Sequence, residues 1–261
     1  MTDSSEIKLY AHISNEEVYR TSHAKNIPTV DSILRKLDKG TYKVDRHSFL
    51  SDVFEVSAIA ISNQFDSSKL NEREEKYKKI MKKYDKSTQE LICEIFADIY
   101  ILLSSQIFHN VGFYDYLGEL YMRSETSNKQ AGQFFTPYSV SKMCARLTIN
   151  DDKSKFNIEN AKKTDRILTF NEPSCGSGGM IIASIDCLYN EHHFNYCTNL
   201  LVECSDIDLR CVHMCYLQLA LSSVPAIIKH QDTLTQETWD IWRTPAYLMQ
   251  YARFRKILNE E

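Results

Sequence analysis

Between two apolar runs, Ile167-Leu168-Thr169-Phe170 and Met180-Ile181-Ile182-Ala183, the chain carries Glu172-Pro173-Ser174-Cys175-Gly176-Ser177-Gly178-Gly179. That order predicts a buried strand, a tight turn and the start of a helix. Glycines at such a turn adopt positive φ without strain and let the backbone approach a ligand closely. The acid at the strand end restricts the ligand: Glu172 would repel a phosphate, so the turn suits a molecule with positive charge and hydroxyl groups. Downstream, Leu200-Leu201-Val202-Glu203-Cys204-Ser205-Asp206-Ile207-Asp208 is a second apolar run ending in acids, and Ile227-Ile228-Lys229-His230-Gln231-Asp232-Thr233-Leu234 is a third. Upstream, Gly132-Gln133-Phe134-Phe135-Thr136-Pro137 precedes a helical stretch from Ser139 to Leu147.

The elements that would position these residues alternate. Strand-like runs at 166–170, 199–204 and 226–230 are interleaved with helix-like runs at 138–147, 178–190 and 207–221. This pattern predicts an α/β fold with a parallel sheet, whose ligands bind at the carboxyl ends of the strands. The acids and glycines fall at such ends. Before them, Val30 to Leu37, His47 to Ile61, Asn71 to Tyr84 and Ser87 to Phe108 read as helices, and Asp66-Ser67-Ser68 as a loop. Residues 1–125 are thus expected to form a helical N-terminal region, and residues 126–261 an α/β domain. Lys69 to Lys86 reads as a solvated helix face with Glu–Lys pairing rather than a nucleic-acid contact. Residues 150–165 read as a polar surface loop.

This ordered set resembles the methylation subunits of type I restriction systems and related N6-adenine DNA methyltransferases, over roughly residues 113 to 235. Asp115-Tyr116-Leu117-Gly118-Glu119-Leu120-Tyr121 resembles the segment those proteins carry just before their Gln-Phe-Phe-Thr-Pro motif. The resemblance implies a partial Rossmann-like methyltransferase sheet that holds S-adenosylmethionine. Glu172 would anchor the methionine amine. Ser174, Gly176, Ser177, Gly178 and Gly179 would admit the methionyl backbone. Asp206 would take the ribose hydroxyls, with Glu203 and Asp208 as competitors for that role. Asp232, with Thr233, would take the adenine amine. Gln133, Phe134, Phe135, Thr136 and Pro137 would close over the methionine end. Plainer roles stand beside these: a helix-start acid for Glu172, a turn acid for Asp232, a helix N-cap for Asp206, and Thr136 capping a helix begun by Pro137.

N6-adenine methylation needs a flipped base stacked on an aromatic ring, with its amine held by a side-chain amide. The family uses Asn-Pro-Pro-Phe or Asn-Pro-Pro-Tyr for this, and the chain has neither. Thr244-Pro245-Ala246-Tyr247 stands at about the right distance, so Thr244, Pro245 and Tyr247 are the catalytic candidates of a degenerate motif. The segment before it, Glu237 to Trp242, is a poor buried strand, and a complete methyltransferase sheet would need further strands beyond it. The open half-sheet is expected to be covered by the C-terminal helix, the N-terminal helices or another chain. The reading is an S-adenosylmethionine-binding, catalytically degenerate relative acting with a partner or as a modulator of restriction-modification. The alternatives are an active adenine-N6 methyltransferase using Thr-Pro-Ala-Tyr, and a non-enzymatic interaction protein that has lost the cofactor.

Net charge is −4, so composition gives no global support for gripping DNA alone. DNA is expected to be reached through a partner chain, with a protein partner or homo-oligomer implied. No apolar run is long enough to span a bilayer and the N-terminus lacks a signal-peptide core, which places the chain in the cytoplasm. The eight cysteines include no Cys-x-x-Cys pair. On a helix His213 lies far around from Cys211 and Cys215, so free thiols and no metal are expected.

Overall fold

The computed structural model describes residues 27–41, 44–108, 112–124, 135–149 and 158–258. Helices come first: α1 Val30–Gly40, α2 Arg46–Phe65, α3 Leu70–Met81, α4 Lys86–Phe108, α5 Tyr116–Ser124, α6 Tyr138–Ile149 and α7 Ile158–Thr164. Their starts follow from local chemistry. Thr29 and Ser32 form a capping box on α1, and Asp45 caps α2 by accepting from the Ser48 N–H. The expected loop at Asp66 contains a turn of 3-10 helix, Ser67–Lys69, capped by Asp66 itself. On α3, Glu72 accepts from Lys69 and Lys76, the pairing expected of a solvated face. The polar stretch read as a loop over 150–165 contains α7. Only Ile158 and Ala161 are buried there, too few apolar positions for a periodic signal. Residues 150–157, and the expected boundary near 125, lie outside the described residues.

The sheet follows: β1 Leu168–Glu172, α8 Gly179–Asp186 continuing into a π-helical turn Cys187–Glu191, α9 Tyr196–Asn199, β2 Leu200–Asp206, α10 Leu209–Leu221, β3 Ala226–Asp232, β4 Glu237–Arg243, α11 Pro245–Met249 and α12 Tyr251–Leu258. The order is β1-β2-β3-β4. β1, β2 and β3 are parallel, as the alternation predicts, but β4 returns antiparallel through a hairpin. The parallel expectation fails at β4 because only a short turn, Thr233 to Gln236, separates it from β3, and a parallel return needs a crossover. β4 is also the poorly buried strand its sequence suggests, with Trp242 its buried member.

Right-handed crossovers that step along the sheet in one direction put α8 and α10 on the same face. Strand alternation divides the residues accordingly. Leu200, Val202, Cys204, Ala226, Ile228 and Trp242 join the large core with α8, α10 and the N-terminal helices. Leu201 and Ile227 face the other way, onto Tyr247 and Phe254. N-terminal helices therefore lie on the face that carries α10, and α11 and α12 cover the other. From Cys211 through Ala220, α10 has no solvated side: every residue there is buried. Val212, Met214, Leu217 and Leu219 each contribute on the order of 1.5–3 kcal/mol by burial. Among the described residues, no strand pairs with the outer edge of β1, and no helix is long and apolar enough to cross a membrane.

Candidate cofactor site

The turn after β1 is fastened to the end of β2 by two backbone donors. The Cys175 N–H donates to the Ser205 carbonyl at 2.9 Å, and the Gly176 N–H donates to Asp206 Oδ2 at 2.8 Å. Gly176 and Gly178 have φ of +54° and +95°, so this path requires glycine at both. Gly178 is the N-cap of α8. A side chain at Gly176 would also press on the Phe135 ring, 3.1 Å from the position of its Cβ.

Above the turn lies a cavity of about 310 Å³. Its walls are Phe135 and Thr136 before α6, Ser141 on α6, Glu172 at the end of β1, Ser174 through Ser177 in the turn, Gly179 and Met180 on α8, and Asp206 at the end of β2. Asp115 closes its depth. Burial pushes the carboxyls of Glu172 and Asp206 above the usual range. The neighbouring Asp206 charge raises Glu172 further, while backbone donors at Asp208 and Gly176 hold Asp206 down. Two partly desolvated acids facing one cavity favour a cation there. Ser141 is fully buried, and its hydroxyl has no hydrogen-bond partner among the described residues. A buried orphan of this kind calls for a partner that those residues do not supply.

Sequence reasoning missed Asp115, Ser141, Met180 and Gln218 as parts of this site. Asp115 Oδ2 accepts from the Ser177 hydroxyl at 2.7 Å, and its Oδ1 accepts from the Gly118 N–H at 2.9 Å and from Gln218 Nε2 at 2.7 Å. Gln218 also donates to the Ser177 carbonyl at 2.7 Å. A Cβ at Gly179 would lie 2.6 Å from the Asp115 carboxylate, so that glycine makes room for the acid. The signal for Gln218 was present: a lone amide within an apolar helix must find buried partners.

The other sequence candidates are placed unevenly. Gln133 and Phe134 lie outside the described residues. Pro137 occupies the N-cap position of α6, its carbonyl accepting from Ser141, one residue earlier in the helix than expected. Asp208, not Asp206, caps α10. Thr233 donates to the Pro173 carbonyl at 2.6 Å and meets Ser205 Oγ at 3.1 Å, tying the ends of three strands together. Asp232 is not among the cavity's walls, and its Oδ1 accepts from Leu234 and Thr235 in its own turn.

Thr244, Pro245 and Tyr247 are not brought to the cavity. The Thr244 hydroxyl accepts from the Ala226 N–H and donates to the Val224 carbonyl, at the opposite end of β3. A strand of this length separates the two places by roughly 20 Å. Thr244 is the N-cap of α11, Pro245 its first residue, and Tyr247 is buried in a stack on Phe254. The Thr-Pro-Ala-Tyr sequence is a helix start.

Residues 106–256 match the family model described as N-6 DNA Methylase. The chain belongs to that family. No curated protein matches it. Among solved structures it is similar to the type I restriction-modification methyltransferase subunit of Streptococcus thermophilus, at 14% identity and a TM-score of 0.42, over 86% of this chain and 47% of that one. It is also similar to a Listeria monocytogenes protein assigned as a class I S-adenosylmethionine-dependent methyltransferase, at 16% identity and a TM-score of 0.37, over 72% of this chain and 54% of that one. The alignments thus take in about half the length of these solved relatives.

Proposed function

We propose that this N-6 DNA methylase family member binds S-adenosylmethionine in the cavity at the carboxyl ends of β1 and β2, and that it acts on DNA only together with a partner chain. The carrying observation is the facing pair Glu172 and Asp206 around a positive-φ glycine turn, with the Ser141 hydroxyl unpartnered beside them. The donor set fits the cofactor. Glu172 suits the amine and Asp206 the ribose hydroxyls, while the first N–H groups of α8 suit the methionyl carboxylate. Ser141 gains the partner it lacks. Phe135 lies over the turn and keeps water from the methionine end. The bound cofactor would supply the methyl group.

Catalytic degeneracy is supported by the Thr-Pro-Ala-Tyr sequence lying away from the cavity. An amide and an aromatic ring for the target adenine would then come from the partner. No strand among the described residues pairs with the outer edge of β1, where Thr169 and Asn171 are exposed beside a groove containing Phe170 and Met180, and that chain would add a strand there.

Calorimetric titration with S-adenosylmethionine tests the cofactor reading. One saturable site is expected, with affinity falling about tenfold in Glu172→Gln, the loss of one charge-assisted contact. Because both carboxyls are raised, binding should weaken as pH falls, from a higher pH than ordinary carboxylates with values near 4 would require. Glu172→Gln should flatten that dependence. Absence of binding in the intact protein at millimolar cofactor would overturn the reading. Methyl transfer to DNA by the isolated chain would overturn the degeneracy.

A further inference from the structure

Three cysteines from three separate elements meet directly under the cavity. Cys175 sits in the turn after β1, Cys204 on β2 and Cys215 on α10. All three are buried, their sulfurs lie within 4.8 Å of one another, and the Cys204 and Cys215 sulfurs are 3.7 Å apart. The cluster was hidden in the sequence because none of the three neighbours another along the chain. The tempting local set, Cys211-Val212-His213-Met214-Cys215, contributes only Cys215, and His213 packs instead on Trp242.

We propose that Cys175, Cys204 and Cys215 form an all-sulfur site for a soft, thiophilic metal ion, best matched by Cu(I). A three-coordinate ion with metal–sulfur bonds of about 2.3 Å places its ligands roughly 4 Å apart; the Cys204 and Cys215 sulfurs, at 3.7 Å, are close to that spacing, and the Cys175 sulfur lies within 4.8 Å of both. Soft thiolates select soft ions. Zinc in structural sites takes four ligands, and this cluster offers three. The backbone around the cluster is already fixed, since Cys175 is hydrogen-bonded to Ser205 and a Cβ at Gly178 would lie 3.2 Å from Cys215 Sγ. The entry path is the cavity itself, because Cys175 is part of its wall. Burial keeps the Cys204 thiol protonated. The ion therefore displaces thiol protons, and each thiolate formed releases one proton to solvent. Two thiolates, one retained thiol and one Cu(I) carry a net charge of −1. The plainer reading is that three small apolar side chains simply fill space.

The site stands whether or not the cavity holds S-adenosylmethionine, so its test uses the full chain without cofactor. Reduced protein is titrated anaerobically with Cu(I) against the chelator bicinchoninate, and the loaded protein is examined by X-ray absorption. One tightly held ion per chain with a sulfur-only shell of two or three neighbours is expected. Cys204→Ala and Cys215→Ala should each weaken retention at least about tenfold, as loss of one ligand requires, while Cys93→Ala, at an exposed position on α4, should not. No ion retained against the chelator, nitrogen or oxygen ligands in the shell, or unchanged retention in the Cys204→Ala/Cys215→Ala double variant would each overturn the proposal. The spectrum of the unmodified protein decides the question even if a variant fails to fold.

Discussion

At the scale of single residues, the acid that shapes the cavity is Asp115. Burial drives its carboxyl upward, and the Ser177, Gln218 and Gly118 donors act against that rise. Its carboxylate accepts three hydrogen bonds and donates none, so the site is built for two acceptor oxygens. Asp115→Asn keeps the shape but replaces one acceptor with an NH2 group aimed at existing donors. It should destabilise the protein by about 1–3 kcal/mol, the cost of a buried polar group left without its partner. Urea unfolding measures this, and a variant as stable as the parent would show that the three donors do not depend on the charge. The sequence displayed Asp115 at the head of a recognisable segment. It could not show that the acid packs against Gly179, more than sixty residues later, because that contact is made only when the chain folds back to bring the turn after β1 beside it. The turn itself was legible, since its glycines and flanking apolar runs are local facts. Thr244 and Tyr247 fall away from the cavity, because spacing along the chain does not reveal that β4 reverses direction.

At the scale of elements, α10 carries a pH-sensitive contact. His213 is buried against the Trp242 ring of β4, with ring centroids 5.0 Å apart. Desolvation first, and then the charges of Lys76, His230 and Arg73, push its imidazole down to about 3. A histidine that must stay neutral when folded but protonates near 6.5 when unfolded contributes stability above pH 6.5. That contribution is lost as pH falls from there toward 3. The slope it adds is at most about 1.4 kcal/mol per pH unit. Thermal or urea melts of the parent and of His213→Leu between pH 7 and pH 5 isolate the effect from that of the carboxylates. The variant should lose less stability than the parent over this interval, and parallel curves would mean that His213 titrates normally in the folded protein. Strands β1 to β3 and helices α1, α2 and α4 were legible from their apolar patterns, and α3 from the Glu–Lys pairing of a solvated face. The short α7 and the exposed β4 were not, because their burial depends on neighbours rather than on their own periodicity.

At the scale of the whole molecule, one buried cation joins the N-terminal helices to the sheet. Arg73 on α3 is almost fully buried, donates to Ser62 Oγ at 2.5 Å and to the Ile241 carbonyl at 2.9 Å, and lies 3.9 Å from the centre of the Trp242 ring. Asp66 and Asp240 stand 3.6 and 3.8 Å from its guanidinium. No sequence pattern announced this role, because Arg73 lies in a stretch whose other charges are solvated. Its consequence is mechanical: helices on one side and β4 on the other share a single network, so they should unfold together. Removing the cation leaves the buried Asp66 carboxylate with Arg243, 3.8 Å away, as its remaining charged neighbour, and breaking a buried pair in this way typically costs about 3–5 kcal/mol. Both tryptophans, Trp239 and Trp242, lie in β4, so their fluorescence reports the sheet while far-ultraviolet circular dichroism reports mainly the helices. In the parent protein the two signals should follow one urea transition. In Arg73→Met the midpoint should fall sharply, and the fluorescence change should come first as β4 loosens from α3. Separate transitions already present in the parent would mean that the helical region and the sheet are coupled more weakly than this network requires.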